Sequence, residues 1–160
     1  MVVSIRRAQF ADIRFCVDIL AKFFEEDRGD TSYKNKQGNA TYNKEKLYKY
    51  LLANVKNEDF LLNLLIQDNK IIGGVCAYIA SPIYSYDRIA YDQILYISPE
   101  HANLKYLFRL IKTYMTWAKQ KEVIEVRLCT STGYNIEGFT KLCLKFGLEP
   151  FELGFSKGLK

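Results

Sequence analysis

Residues 94–111, ILYISPEHANLKYLFRLI, hold the pattern on which the reading of the whole chain depends. Ile94 to Ile97 is an apolar run suited to a strand, and Pro99 stops it. Small and polar residues follow, and from Lys105 the apolar side chains recur at three- and four-residue spacing, as on one face of a helix. A strand that feeds a helix start is a place where unsatisfied backbone amides and the helix dipole favour an anion. Glycine helps such a cradle because it lets the backbone approach a phosphate closely, and residues 94–111 contain none. By position this looks like an anion cradle. Composition leaves two outcomes open: a cradle of reduced affinity, or a helix start that only packs.

On the N-terminal side, Val2–Ala8 reads as a strand. Asp12 then caps an expected helix with Ile13, Val17, Leu20, Ala21 and Phe24 on its inner face. Residues 25–42, EEDRGDTSYKNKQGNATY, break every periodicity and read as a long loop of the kind that commonly carries function. Asn43 caps a second expected helix, Lys44–Val55, with Leu47, Tyr50 and Leu51 inward. Phe60–Gln67 and Lys70–Ala80 read as strands joined by the turn Asp68-Asn69, the first nearly all apolar, as when both faces are covered. A strand Ile89–Ser98, a helix Lys105–Lys119 and a strand Val123–Cys129 follow. A helix Tyr134–Phe146 ends at Gly147, and a last strand spans Glu149–Ser156. The order β-α-α-β-β-β-α-β-α-β predicts an α/β (α+β) fold: a single mixed, mostly antiparallel sheet with helices on both faces, in one domain over residues 1–160.

At 160 residues, with 49% hydrophobic and 26% charged side chains, the chain can bury a sizeable core and is no disordered tail. Its longest apolar run, Ile71–Ala80, is strand-length, so no membrane span is expected, and the N-terminus lacks the pattern of a signal peptide. Cys16, Cys76, Cys129 and Cys143 lie far apart in apolar settings and read as buried thiols; with a lone His101, read as a surface residue, they give no metal-ligand spacing. These features predict a cytoplasmic protein. Residues 1–104 balance 13 Lys+Arg against 13 Asp+Glu, whereas residues 105–160 carry 10 against 5, so the net charge of +5 lies wholly in the C-terminal third. Such an excess suits an anionic ligand there and equally an ordinary solvated surface. It forms no nucleic-acid motif, and the twelve tyrosines are too dispersed for a stacking platform.

Three stretches in the right order resemble the GNAT superfamily of N-acetyltransferases over nearly the whole chain. They are RRAQFADIRFCVDIL (6–20), LYISPEHANLKYLFRLIKTYMTWAK (95–119) and GYNIEGFTKLCLKFGLEP (133–150). The resemblance implies an acyl-CoA N-acyltransferase-like fold, acetyl-CoA as cofactor and an amine, small molecule or protein, as acceptor. In that family the strand before the proline splays from its neighbour and offers peptide groups to the pantetheine arm, a place held here by Leu95 and Ile97. The loop that binds the pyrophosphate reads Arg/Gln-x-x-Gly-x-Gly/Ala, and its positions fall on Ala102, Asn103, Leu104, Lys105, Tyr106 and Leu107. Every glycine and the leading Arg are replaced. Asn103 tolerates left-handed angles better than most residues, and Lys105 can supply a point charge.

The resemblance further implies a carboxylate base on the strand before the loop, where Asp92 stands. It also implies an acid four residues before the Gly of the closing helix, where Cys143 replaces the usual Tyr, with Tyr134 and Tyr91 as substitutes. Asn135 resembles the polar residue with which the closing helix touches the pantetheine arm. Against the enzyme stands a second reading, in which the fold is kept as a non-catalytic scaffold. Short chains of this pattern, with a C-terminal strand like GFSKGLK, look similar to acetyltransferase-like proteins of tailed phages, where the fold serves as a virion or host-interaction component.

Overall fold

The computed structural model describes residues 2–26, 42–129 and 136–151. The chain divides into two compact units, residues 1–21 with 43–128 and residues 22–42 with 129–160.

In the first unit, five strands form one mixed sheet in the order β1 (Val3–Arg7), β2 (Phe60–Gln67), β3 (Lys70–Ala80), β4 (Ile89–Ile97) and β5 (Glu125–Arg127). Neighbours are antiparallel from β1 to β4, and β5 runs parallel to β4. Asp68 and Asn69 turn β2 into β3 with φ of +47° and +65°. A two-residue hairpin turn of matching twist needs both central residues left-handed, and Asp and Asn accept that conformation most readily after glycine. Asp68 also fastens β1, since its carboxylate accepts the Val2 amide and its own amide donates to the Val2 carbonyl, both at 3.1 Å.

Helices α1 (Ile13–Glu26) and α2 (Lys44–Asn54) cover one face of the sheet, and α3 (Leu104–Gln120) covers the other. Ile13, Cys16 and Val17 of α1 and Leu51 of α2 pack on Leu62, Leu64 and Cys76. Leu110, Tyr114, Trp117 and Ala118 of α3 pack on Leu61, Leu65, Val75, Ala77 and Ala90. β2 feeds both layers with alternate side chains, which is why its sequence is almost uniformly apolar. Tyr114 is fully buried, and its hydroxyl donates to the Arg127 carbonyl at 2.8 Å, so the polar end of a large core side chain ties α3 to β5.

In the second unit, α4 (Ile136–Lys145) ends as its glycine predicts. Gly147 has φ +75°, its amide donates to the Leu144 carbonyl at 3.0 Å, and the Leu148 amide reaches the Cys143 carbonyl at 3.1 Å. This reciprocal pair satisfies carbonyls that the helix end leaves open.

Several expectations are corrected. Asp12 does not cap α1 from outside. A single 3-10 turn, Phe10–Asp12, precedes the helix, and the Asp12 carboxylate reaches back to the Gln9 amide at 2.7 Å while pairing with both Arg6 terminal nitrogens at 2.7 and 2.9 Å. Glu25 and Glu26 belong to α1 and not to the following loop, whose residues 27–41 lie outside the described residues. Tyr50 faces the sheet as expected, its ring edge-on to buried Phe60 and its hydroxyl on β4, but it is 37% exposed and not a core residue. Cys129 is exposed, two residues past the end of the short β5, and Cys143 is half-buried, so only Cys16 and Cys76 are the buried thiols expected of all four. Glu149, Pro150 and Phe151 are not in a strand, and the remainder of the expected last strand lies outside the described residues. No helix of the described residues is long and apolar enough to cross a membrane, and no group of three or more His, Cys, Asp or Glu among them is placed to hold a metal ion.

Candidate functional site

The site is built on β4. This strand pairs with β3 along its whole length, to Ile97 opposite Gly73, but with β5 only over Ile89–Tyr91. Beyond Tyr91, the edge of β4 that faces away from β3 has no ladder partner in β5 among the described residues. Peptide groups on that edge can pair with an extended ligand as they would with another strand. Leu95 and Ile97 sit there with their side chains packed in the α3-side core, so the strand is anchored where β5 no longer pairs with it.

The strand leads into the start of α3 by a 3-10 turn, Pro99–His101, with Ala102 (φ −64°, ψ 119°) and Asn103 (φ −151°, ψ 154°) extended after it. Asn103 is the N-cap. Its side-chain oxygen accepts the Tyr106 amide at 3.0 Å, and its carbonyl accepts the Leu107 amide at 3.2 Å. The amides of Leu104 and Lys105, at the first two helical positions, have no acceptor within the helix. No non-glycine residue from Pro99 to Leu107 has a positive φ. The turn thus demands nothing that only glycine can adopt, and the expected use of Asn103 as a left-handed residue is not how it serves here.

Of the cradle positions, Ala102, Asn103, Leu104 and Lys105 are exposed together at the helix start, whereas Tyr106 and Leu107 are half-buried, Tyr106 against the α3-side core. The structure tests the fit of a long anionic cofactor directly. The peptide groups of β4 beyond its pairing with β5 and two first-turn amides suit an amide-bearing arm that ends in phosphate, with Lys105 beside them to supply charge. Asn103 withholds a third amide, that of Tyr106. Neighbouring His101 has its Nδ1 shielded from solvent, 3.5 Å from the Glu100 carboxylate and without a hydrogen bond.

Just past the end of the pairing with β5, Ala77 stands opposite Asp92 and Cys76 opposite Ile94, so Gln93 is the extra residue of a β-bulge. Asp92 is half-buried, opposite a residue of the α3-side core. Gln93 turns to the α2 side, where its carbonyl accepts the Tyr50 hydroxyl at 2.8 Å and the Cys76 thiol at 3.5 Å. Burial is the main cause raising the Tyr50 phenol above its ordinary pKa, so the hydroxyl keeps its proton and donates. Sequence reasoning missed the Tyr50–Gln93 pair. A bulge adds one residue without altering composition, and period-two alternation places Gln93 on the wrong face.

Tyr91 stacks on Tyr78 with ring centroids 5.3 Å apart, and the Arg127 guanidinium lies over its ring at 5.3 Å. The Arg127 side chain is also paired with Glu125 at 2.7 Å. This places Tyr91 where β4 and β5 part. Cys143 lies on α4 in the second unit, half-buried. Tyr134 and Asn135 lie outside the described residues.

The family model for the acetyltransferase (GNAT) family matches residues 14–138. Among curated proteins the sequence has no significant match. Solved structures align over almost the whole chain. A predicted acetyltransferase with acetyl-CoA from Clostridium acetobutylicum is 16% identical, with a TM-score of 0.74 covering 99% of this chain and 97% of that one. An aminoglycoside acetyltransferase from an uncultured soil metagenomic sample, in complex with sisomicin, is 18% identical, with a TM-score of 0.69 over 99% and 97%. Glucosamine-6-phosphate N-acetyltransferase from Arabidopsis thaliana is 12% identical, with a TM-score of 0.70 over 100% of both chains. At these identities the likeness is one of fold.

Proposed function

The chain belongs to the acetyltransferase (GNAT) family, and from that premise we propose that it transfers an acetyl group from acetyl-CoA to the nitrogen of an amine. One observation carries the proposal: among the described residues β5 pairs with β4 only over Ile89–Tyr91, and β4 runs on past it through Leu95 and Ile97 directly into the start of α3, where the Leu104 and Lys105 amides have no helical acceptor. Acetyl-CoA, when bound, supplies the acetyl group as a thioester. The peptide groups around Leu95 and Ile97 would hold its amide-bearing arm, and Ala102 to Lys105 would hold its phosphates, with the Lys105 ammonium offsetting their charge. Tyr106 and Leu107 serve by fixing the helix start in place.

An amine in neutral water is mostly an ammonium ion and must lose a proton before its nitrogen can attack. Asp92, beside the Gln93 bulge, is the carboxylate that would accept that proton, directly or through a water. The lysine-bearing cradle and the uneven charge of the chain favour the anionic donor over a neutral one.

The test is an assay of CoA thiol release by the full chain over a broad panel of amines, wild type against Asp92→Asn. Asparagine keeps the shape and hydrogen-bonding capacity of aspartate but has no basicity. The variant is expected to lose about 10²–10⁴-fold in turnover with nearly unchanged affinity for acetyl-CoA. A variant as active as the wild type would remove Asp92 from the reaction. A wild type that binds acetyl-CoA and acetylates no amine would leave the fold as a binding scaffold.

A further inference from the structure

At the end of α3 opposite Leu104, about 25 Å away by the rise of the helix, lies a cleft of about 500 Å³ that acetyl transfer does not use. It is formed within the first unit by the end of β1, the segment that follows α2 and the end of α3. Arg7, Lys56 and Lys121 line it against a single acid, Glu58. Cations at helix C-termini serve the open carbonyls there, and α2 and α3 both end at this cleft. With each helix end counted at about half a negative charge and Glu58 at one, a positive charge is still left over.

Each cation is placed so that it can meet an anion at small cost. The Arg7 Nη2 donates to the Asn57 and Phe60 carbonyls at 2.8 and 2.9 Å and to that of Val55 at 3.4 Å, while its Nε and Nη1 make no hydrogen bond among the described residues. A guanidinium already fixed in this way loses little freedom when its remaining donors are engaged. The Lys121 ammonium lies 3.2 Å from the Glu58 carboxylate, but the Glu58 side chain is 89% exposed. An ion pair with so exposed a partner is worth little, so a ligand can displace Glu58. The Lys56 ammonium rests 5.3 Å over the Phe10 ring, with no carboxylate partner among the described residues. Trp117 and Val55 add apolar wall. The Trp117 indole N–H is shielded from solvent and has no hydrogen-bond partner among the described residues.

We propose that this cleft is a second binding site, for a small phosphate monoester whose phosphate lies among Arg7, Lys56 and Lys121 and whose carbon body lies toward Trp117. A phosphate monoester carries about 1.5 to 2 negative charges near neutral pH and three strong acceptor oxygens. It therefore matches leftover positive charge and donors from three chain segments better than a carboxylate does. The volume falls within the roughly 300–1,000 Å³ of small-molecule sites and exceeds what a free phosphate ion fills. Its place at the far end of α3 separates it from the phosphates proposed for acetyl-CoA, and it stands whether or not the chain transfers acetyl groups.

Trp117 is the single tryptophan of the chain, so its fluorescence reports on this cleft. The test titrates the full chain with glycerol 3-phosphate, with glycerol and inorganic phosphate as comparisons and sodium chloride holding the ionic strength constant. The expected result is a saturable change in emission with glycerol 3-phosphate and none with glycerol. Lys56→Gln and Lys121→Gln should each raise the Kd about 10-fold, the scale of one lost charged hydrogen bond. Glu58→Gln releases Lys121 and should lower the Kd several-fold, a gain that misfolding cannot mimic. Lys105→Ala, at the other end of α3, should leave the titration unchanged. Inorganic phosphate bound as tightly as the ester keeps the phosphate site and assigns it to the free ion. No saturable change, or the same change with sodium chloride alone, overturns the inference and returns the three cations to the helix ends. A response lost in Lys105→Ala overturns it by giving the phosphate to the start of α3, and a Glu58→Gln variant that binds no tighter overturns it as well.

Discussion

Asn103 sits where the cradle has to choose between its own helix and a ligand. Its side chain accepts the Tyr106 amide, the cap that a helix start prefers, and so removes one donor from any phosphate. Asn103→Gly frees that amide and lets the backbone approach more closely, while glycine in place of an asparagine cap costs only a few tenths of a kcal/mol. Calorimetric titration with CoA should show several-fold tighter binding by the variant. Lys105→Ala should do the reverse and weaken CoA by about 1 kcal/mol with the helix intact, as suits the loss of a charged contact. Unchanged affinity in both folded variants would remove α3 from the phosphate site. A residue remote from the site gives a pH test. The Arg6 guanidinium beside Asp12, helped by the Gln9 amide, holds that carboxyl below the usual aspartate range. The stability it adds is fully present above the unfolded value of about 3.9, and is lost as pH falls through the lowered folded value. Asp12→Asn should therefore cost about 1 kcal/mol at neutral pH, an estimate reduced for the half-exposed Arg6, and should show a shallower loss of stability below pH 4 in urea titrations than the wild type.

At the scale of elements, most of the first unit was legible because each element announces itself locally. Asn43 caps α2 as read, accepting the Lys46 amide at 2.9 Å, and β2 and β3 begin and end at the residues expected, since an Asp-Asn turn between apolar runs fixes a hairpin's register. Helix α3 follows its apolar spacing to within a residue at each end. The α1 start was misread because Arg6, on the preceding strand, recruits Asp12 into a pair that propensity does not encode. The bulge at Gln93 was invisible for a similar reason, being a property of two strands and not of one. Glycines 73 and 74 show how closely β3 is held. A methyl group on Gly73 would stand 2.4 Å from the Tyr96 carbonyl oxygen, and one on Gly74 would stand 2.6 Å from that of Asn63. Both obstacles are backbone and cannot swing away. Gly73→Ala and Gly74→Ala should each destabilise by about 1–3 kcal/mol, read from the midpoint of urea unfolding. Gly73→Ala should also weaken CoA binding, because it pushes on the β4 segment proposed to hold the amide-bearing arm. A wild-type midpoint in either variant would mean that the strands have slack.

At the scale of the molecule, the family was legible from the order and spacing of three stretches, and the match over residues 14–138 agrees with it. The chemistry was less so, because the positions that carry it hold other residue types here: Ala102 stands where an arginine was expected, Lys105 and Leu107 where glycines were, and Cys143 where a tyrosine was. The structure answers part of that difficulty in physical terms. Since the loop needs no left-handed residue, losing glycine leaves the turn unstrained and affects only how near a phosphate can come. The central claim is that β4 beyond its pairing with β5 and the start of α3 together bind acetyl-CoA. The most direct test is isothermal titration of the wild-type chain with acetyl-CoA, with thermal unfolding followed at saturation. The account predicts a one-to-one binding heat and a raised melting temperature, since a ligand of the native state stabilises it by mass action. No heat and an unchanged melting temperature at millimolar acetyl-CoA would contradict it.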